Sequence, residues 1–83
     1  MPFYVYILQS DLDQSFYTGH TADLDERVRR HNDGRSCYTK TKRPWKLVYQ
    51  EQCSSRSEAT QRERALKALH RKDLLQELIN ASR

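Results

Sequence analysis

Residues 3–20 read FYVYILQSDLDQSFYTGH, and this stretch decides the fold. Its first part, residues 3–9, alternates two sets of side chains in the way a β-strand does. One set is Phe3, Val5 and Ile7, and the other is Tyr4, Tyr6 and Leu8. Since both sets are apolar or aromatic, this strand is predicted to be central. Residues 10–14 are turn-like and residues 15–20 form a second strand, so the short connection predicts an antiparallel hairpin.

A helix is predicted to follow the hairpin. Asp23 has the side chain of an N-cap, and Glu26 stands three residues later as its capping-box partner. Gly34 suits the left-handed backbone position after the helix end. Residues 35–44 are polar and basic, and we expect them to form a loop.

The remaining chain predicts one strand and two helices. In residues 45–50 the alternation sets Trp45, Leu47 and Tyr49 against Lys46, Val48 and Gln50. Ser55 and Glu58 form a second capping box, which opens a helix from about residue 56 to residue 69. Its predicted inward side chains include Ala59, Leu66 and Leu69. A last helix is predicted over residues 72–81.

The predicted fold is therefore α/β (α+β), in one domain over residues 1–83. It is a small three-stranded antiparallel sheet flanked by three helices, in the order ββαβαα. A net charge of +4 and a pI of about 9.3 favour a polyanionic partner. No apolar run reaches the roughly 18 residues of a membrane span, and the N-terminus does not resemble a signal peptide, so we expect a cytoplasmic protein. Cys37 and Cys53 are expected to be reduced thiols rather than zinc ligands, because no CxxC spacing is present.

Four side chains in the first half are candidates for chemistry. Tyr6 and Tyr17, one on each strand of the hairpin, can be cross-strand neighbours on one face, although aromatic packing alone would also explain them. Arg27 and His31 are one helical turn apart, so they point the same way. One interpretation is that they belong to a solvated basic helix face. The other is that Arg27 holds phosphate oxygens and that His31 positions or protonates a phosphate-bound group.

Glu63 falls on the inward stripe of the second predicted helix. A carboxylate there must be paired or metal-bound, because a lone buried charge is costly. One interpretation is a salt bridge to an arginine. The other is a site for Mg²⁺ (or Mn²⁺), since Mg²⁺ commonly takes one or two protein carboxylates and leaves the rest of its shell to water and phosphate.

The segment from Arg35 to Lys46 is rich in basic side chains and contains no acidic one. Basic groups follow a phosphate backbone, and aromatic rings stack on exposed bases. A flexible solvated loop, with Trp45 simply anchoring the strand that follows, would have the same composition. The candidate DNA-binding residues are Arg35, Tyr38, Lys40, Lys42, Arg43 and Trp45, with Lys67 on the second helix.

Taken together, these motifs resemble the GIY-YIG nuclease superfamily, and most closely its small stand-alone bacterial members. The two triplets that name the family correspond to Tyr4-Val5-Tyr6 and Tyr17-Thr18-Gly19. The segments 24–28 and 31–34 look like the family's arginine helix, and residues 58–67 look like the helix with the metal glutamate. The chain departs from the family pattern at Tyr4, where a glycine is usual, and at Thr18, where an isoleucine is usual.

The resemblance implies a metal-dependent DNA endonuclease that hydrolyses a phosphodiester in one step and leaves 5′-phosphate and 3′-hydroxyl ends. Mg²⁺ on Glu63 would stabilise the leaving oxygen, and Arg27 would neutralise charge in the transition state. Tyr6 is the favoured base with Tyr17 orienting water or substrate, although the reverse assignment stays open. His31 would assist at the phosphate or relay the proton.

Two other functions compete with this interpretation. One is a nucleic-acid-binding domain that has kept the fold with little or no catalysis, and the other is a protein-interaction module built on the third helix. No obligate protein partner is evident from the sequence. It leaves open whether the substrate is single-stranded, duplex or branched DNA, or RNA.

Overall fold

The secondary structure follows the predicted order ββαβαα. The computed structural model describes residues 2–34, 39–68 and 72–81. Its strands are β1 (Phe3–Ser10), β2 (Phe16–Thr21) and β3 (Trp45–Cys53). Its helices are α1 (Leu24–Asn32), α2 (Arg56–Lys67) and α3 (Lys72–Ala81), with a short 3₁₀ turn at Lys40–Lys42. The predicted fold is confirmed, although β3 runs on to Cys53 instead of ending at residue 50.

The sheet has the order β2-β1-β3 and is antiparallel throughout, so β1 is central, as its two apolar faces predicted. In the β1–β2 register Tyr6 lies opposite Gly19, and Leu8 lies opposite Tyr17. Tyr6 and Tyr17 therefore share a face of the sheet, as predicted. They are diagonal neighbours rather than a directly opposed pair.

Both faces of the sheet are covered by helices. On one face, α2 and α3 pack over a core made of Val5, Ile7, Cys53, Ala59, Leu66 and Ile79. On the other face, Leu24 and Val28 of α1 pack against Tyr6, Leu8 and Trp45. Each large buried side chain contributes about 1.5–3 kcal/mol relative to exposure, so these two clusters account for much of the stability of a short chain.

The predicted alternation of β3 is wrong in its middle, because the strand contains a β-bulge. Ile7 and Leu8 of β1 are paired with Tyr49 and Leu47, so Val48 is the extra residue. As a result, Val48 and Tyr49 both pack against the core under α2 and α3. Leu47 is left 37% exposed.

The predicted helix starts are confirmed. The Asp23 side chain accepts a hydrogen bond from the backbone N–H of Glu26 at 3.1 Å, and Ser55 accepts one from Glu58 at 3.2 Å. After α1, Gly34 has a φ of 80°, the left-handed conformation expected there. Cys53 is a buried free thiol. In the described part of the chain, no helix combines the length and apolar character needed to cross a membrane.

Some of the predicted residues lie outside the described part of the chain. They are Arg35, Cys37, Tyr38 and Leu69.

Gly19 is the residue that lets the Tyr6 ring pass over β2. A Cβ atom at position 19 would lie 2.6 Å from the Tyr6 hydroxyl oxygen and 2.8 Å from Cζ, closer than real Cβ contacts. We therefore expect Gly19→Ala to displace the ring and to lower the free energy of unfolding by about 1–3 kcal/mol, the usual range for overpacking. Urea unfolding measures this change. In a Tyr6→Leu background the cost should largely vanish, and an equal cost in both backgrounds would contradict the steric explanation.

Candidate active site

The Tyr6 hydroxyl is the point at which side chains from β1, β2 and α1 meet. Tyr6 is fully buried, and its hydroxyl oxygen lies 3.2 Å from Nε2 of His31. The Tyr17 ring centroid is 6.5 Å from that of Tyr6 and 4.9 Å from that of His31. The structure thus brings together three of the predicted site residues.

Arg27 completes this group from the next turn of α1. Its positive charge acts to lower the pKa of both Tyr6 and His31. The Arg27 Nε atom is buried and has no hydrogen-bond partner among the described residues. A buried donor without an acceptor costs free energy, so such an atom indicates a place where an acceptor from outside the protein can bind.

The environment keeps Tyr6 protonated. Burial raises the pKa of Tyr6 to about 12, with contributions in the same direction from Tyr17 and Glu63, while Arg27 opposes the rise. Since the phenol holds its proton at neutral pH, its O–H is a hydrogen-bond donor. Removing that proton requires an acceptor beside the hydroxyl.

His31 is such an acceptor. Burial lowers the pKa of His31, and the positive charges of Arg27 and Arg30 lower it further. A neutral imidazole accepts a hydrogen bond at one ring nitrogen and donates from the other. Nε2 faces Tyr6, and Nδ1 lies 2.8 Å from the hydroxyl oxygen of Thr39.

Glu63 of α2 is paired on both of its oxygens. Oε1 lies 2.6 Å from Nδ1 of His20, and Oε2 lies 2.9 Å from Nζ of Lys67. Burial alone would raise the pKa of Glu63, but the hydrogen bonds and charges of Lys67 and His20 outweigh burial and hold it below its ordinary range. The lowered pKa makes Glu63 an ionised carboxylate at neutral pH. Its side chain is 17% exposed, so solvent can reach it. Its partners are not the arginine that the sequence suggested as one alternative.

His20 was not predicted as a site residue. It lies opposite Val5 in the register, so it points to the face of the sheet that α2 covers. The second strand is predicted to end at residue 20, but no local pattern indicates that α2 crosses that end of it. Alternation along β2 predicts which face His20 occupies, and only the packing of α2 shows that Glu63 is its partner.

Tyr6 and Glu63 lie on opposite faces of the sheet, and each lies beside a residue of the edge strand β2. Tyr6 lies on the α1 face and reaches outward over Gly19, whereas His20 and Glu63 lie on the α2 face. Glu63 is close enough to raise the pKa of Tyr6. The candidate site therefore straddles β2, with Arg27 on the α1 face and Glu63 on the α2 face.

Glu63 fits a divalent cation held by a single protein carboxylate. In the described ranges no three His, Cys, Asp or Glu side chains are grouped as a metal centre. Mg²⁺ commonly uses one or two carboxylates and fills the rest of its shell with water and phosphate. An ionised, partly exposed carboxylate is the ligand that such an ion requires.

The prediction that Trp45 stacks on nucleic acid bases is corrected by its burial. Trp45 is 3% exposed and packs with Tyr6 and Leu8. Its indole N–H donates to the backbone carbonyl of Thr39 at 2.9 Å. Because both its ring and its polar atom are occupied inside the protein, Trp45 is a core residue.

The other candidate DNA-binding residues that are described lie at the surface. Lys40 and Arg43 are exposed, and Arg43 Nε donates to the Lys40 carbonyl at 2.8 Å. Lys42 lies 3.4 Å from a carboxylate oxygen of Asp13. Lys67, more than half exposed, is the partner of Glu63. Arg35 and Tyr38 lie outside the described residues, so their place relative to this site is an open prediction.

A comparison with known proteins identifies the family. A family profile described as the GIY-YIG catalytic domain matches residues 2–77. The chain belongs to the GIY-YIG family. A UPF0213 protein of Staphylococcus haemolyticus is 48% identical over 73 residues, which cover 87% of this chain and 88% of that protein. A UPF0213 protein of Listeria welshimeri is 45% identical over 71 residues, covering 84% of this chain and 78% of that protein.

A solved structure agrees with the same assignment. The solution NMR structure of a UPF0213 protein from Bacillus halodurans has a TM-score of 0.62 and 35% identity, and covers 98% of this chain and 85% of that chain. The GIY-YIG assignment gives the chain a nuclease domain, as the two triplets predicted. GIY-YIG nucleases generally use divalent metal ions, which agrees with the chemistry of Glu63.

The lowered pKa of His31 predicts a pH dependence of stability. The unfolded chain takes up a proton at this residue near the ordinary imidazole pKa of about 6.5, whereas the folded protein resists it until lower pH. The free energy of unfolding should therefore fall as pH drops below that value, and the loss should be complete below the folded pKa. Urea unfolding from pH 8 to pH 5 tests this, with His31→Gln as the comparison. Parallel pH dependences in the two proteins would contradict the prediction.

Proposed function

We propose that this protein is a DNA endonuclease that uses a divalent metal ion, Mg²⁺ or Mn²⁺, to hydrolyse a phosphodiester in one step. The products would carry 5′-phosphate and 3′-hydroxyl ends. The observation that carries the proposal is the arrangement of Arg27 and the Tyr6–His31 pair on one face of the sheet and of Glu63 on the other, across the edge strand β2. Membership in the GIY-YIG family supports the nuclease class.

Arg27 binds the scissile phosphate in this proposal. Its buried Nε has no acceptor among the described residues, and a phosphate oxygen would supply one. A guanidinium can hold two oxygens of a phosphate at once. Its charge also neutralises the extra negative charge that develops on phosphorus as water attacks, where a fixed cation is most effective.

Tyr6 and His31 move the proton from the attacking water. The water gives its proton to the Tyr6 oxygen while the Tyr6 proton passes to Nε2 of His31, so no free phenolate has to form. With a pKa of about 12, Tyr6 alone would rarely lose its proton and would be a poor base. The coupled transfer avoids this problem because Tyr6 gains one proton as it loses another. The hydrogen-bond distance of 3.2 Å supports Tyr6 in this role, with Tyr17 beside it orienting water or substrate.

Glu63 would hold the metal ion, and His20 and Lys67 keep its carboxylate ionised and oriented. When bound, the divalent ion supplies positive charge to the phosphate and to the leaving 3′ oxygen. The hydrogen bond from His20 is of the kind that orients a metal-binding carboxylate.

The DNA backbone is proposed to contact the basic side chains around this centre. These are Arg35, Lys40, Lys42, Arg43 and Lys67, with Tyr38 as a ring for base stacking. Contacts to the phosphate backbone are largely independent of the DNA sequence. They suit a single nuclease domain over residues 1–83 that selects its substrate by the structure of the DNA. DNA repair or processing in the cytoplasm is the proposed setting, and the chemistry needs no protein partner.

The metal role is tested with Glu63→Gln and the matched control Glu58→Gln, an exposed glutamate on the same helix. Glu63→Gln should retain a cooperative unfolding transition but lose Mg²⁺-dependent cleavage, because an amide is a far weaker ligand for a hard cation. Glu58→Gln should cleave at the wild-type rate. The assay uses labelled single-stranded, duplex and branched DNA. Wild-type cleavage that is as fast in excess chelator as in Mg²⁺ would rule out the metal role.

The roles of the two tyrosines are separated by Tyr6→Phe and Tyr17→Phe, which keep the rings and remove the hydroxyls. If Tyr6 is the base, its variant should slow single-turnover cleavage by about 100-fold or more, the scale for losing a general base. DNA affinity should hardly change, because the lost interaction belongs to the transition state. The Tyr17→Phe effect should be at least about tenfold smaller.

The relative size of these two effects decides the assignment. A larger loss in Tyr17→Phe would reverse the two roles. Full activity in both variants, with unfolding curves showing that each is folded, would contradict the tyrosine mechanism altogether.

A further inference from the structure

Thr39 lies beside His31, and the proposed reaction gives it no role so far. It is fully buried, and its hydroxyl oxygen lies 2.8 Å from Nδ1 of His31. Tyr6 lies at the other ring nitrogen, Nε2. The imidazole is therefore held between two hydroxyl groups.

The backbone of Thr39 is fixed from the core. Its carbonyl accepts the indole N–H of Trp45 at 2.9 Å and the backbone N–H of Lys42 at 3.1 Å. Trp45 is itself buried against Tyr6 and Leu8. Thr39 thus presents its hydroxyl from a fixed position at the start of the 3₁₀ turn Lys40–Lys42.

A neutral histidine has two tautomers, and only one of them suits proton transfer from Tyr6. The positive charge of Arg27 acts on the Tyr6 oxygen and repels the phenol proton, and Nε2 of His31 lies 3.2 Å away as the acceptor for that proton. Nε2 must then be unprotonated, so the ring proton must be on Nδ1. A hydroxyl oxygen next to Nδ1 can accept that proton in a hydrogen bond.

We propose that Thr39 is a positioning residue that holds His31 in the Nδ1–H tautomer, so that Nε2 is free to receive the Tyr6 proton. The proposal rests on the proposed nuclease function and assigns a further residue to its proton transfer. A neutral acceptor suits this position. The carboxylate that often accompanies a catalytic histidine would favour the imidazolium already in the resting protein, and Nε2 would then be blocked.

The test uses Thr39→Val, which keeps the shape and removes the hydroxyl, and Thr39→Ser, which restores the hydroxyl. Thr41→Val is the matched control, because Thr41 is an exposed threonine in the same turn. Long-range ¹H–¹⁵N NMR spectra at about pH 8 report which ring nitrogen carries the proton, with His31 assigned by its absence in His31→Gln. Single-turnover cleavage and DNA affinity are measured on the same proteins.

We expect protonated Nδ1 and bare Nε2 in the wild type, Thr39→Ser and Thr41→Val. Thr39→Val should shift the ring toward the other tautomer and slow cleavage about 10- to 100-fold, the scale for removing a group that orients a functional histidine, with DNA affinity retained. Wild-type protein with the proton on Nε2 would overturn the proposal, and so would a folded Thr39→Val with unchanged tautomer or cleavage.

The tautomer is measured without substrate, so it separates this proposal from the nuclease function. A wild type that holds the Nδ1–H tautomer but cleaves none of the DNA substrates would contradict the nuclease function alone. If Thr39→Val does not fold, the wild-type spectrum and the comparison with Thr39→Ser still decide the proposal.

Discussion

The packing of the Tyr6 ring over Gly19 is the contact on which the rest of the site depends. A side chain in the central strand normally ends within the core, but the absence of a Cβ at position 19 lets Tyr6 extend across the neighbouring strand. Its hydroxyl therefore lies over the edge strand β2 while the whole side chain stays buried. This explains in physical terms why a tyrosine in the first triplet and a glycine in the second belong together. They are directly opposed in the register, and the Tyr6 ring can occupy this position only because Gly19 has no Cβ atom.

Burial and charge act together on this hydroxyl. The same packing that orients Tyr6 raises its pKa to about 12, and a phenol with that pKa gives up its proton only to a neighbouring acceptor. Burial has the opposite effect on His31, whose pKa is lowered, so one environment gives a protonated donor beside a neutral acceptor. Arg27 acts to lower both pKa values, so it opposes the rise at Tyr6 and adds to the fall at His31. A single positive charge therefore favours loss of the Tyr6 proton and also keeps His31 ready to receive it.

The sequence predicted most of the fold, because the main signals were local. The two apolar faces of residues 3–9 identified the central strand, and the Asp23 and Ser55 caps gave the helix starts. The failures were tertiary. Alternation could not reveal a bulge in β3, because the bulge appears only when that strand pairs with β1. Composition marked Trp45 as a stacking residue, whereas packing against Tyr6 buried it. The partnership of His20 with Glu63 depends on where α2 crosses β2, which no local pattern records.

Trp45 and Thr39 show how a chain of 83 residues can support a polar site with so small a core. Trp45 fills the core beneath α1 and also fixes the Thr39 backbone, and Tyr6 belongs to the same cluster and to the site. The core and the candidate site thus share side chains, and the buried polar groups satisfy one another through Tyr6, His31 and Thr39. The exception is Nε of Arg27, which finds no acceptor among the described residues. A hydrogen-bond network with one unpaired donor is less stable than one in which every donor is paired. An anion that supplies the missing acceptor should therefore stabilise the folded protein. Substrate binding and folding stability then depend on the same side chains.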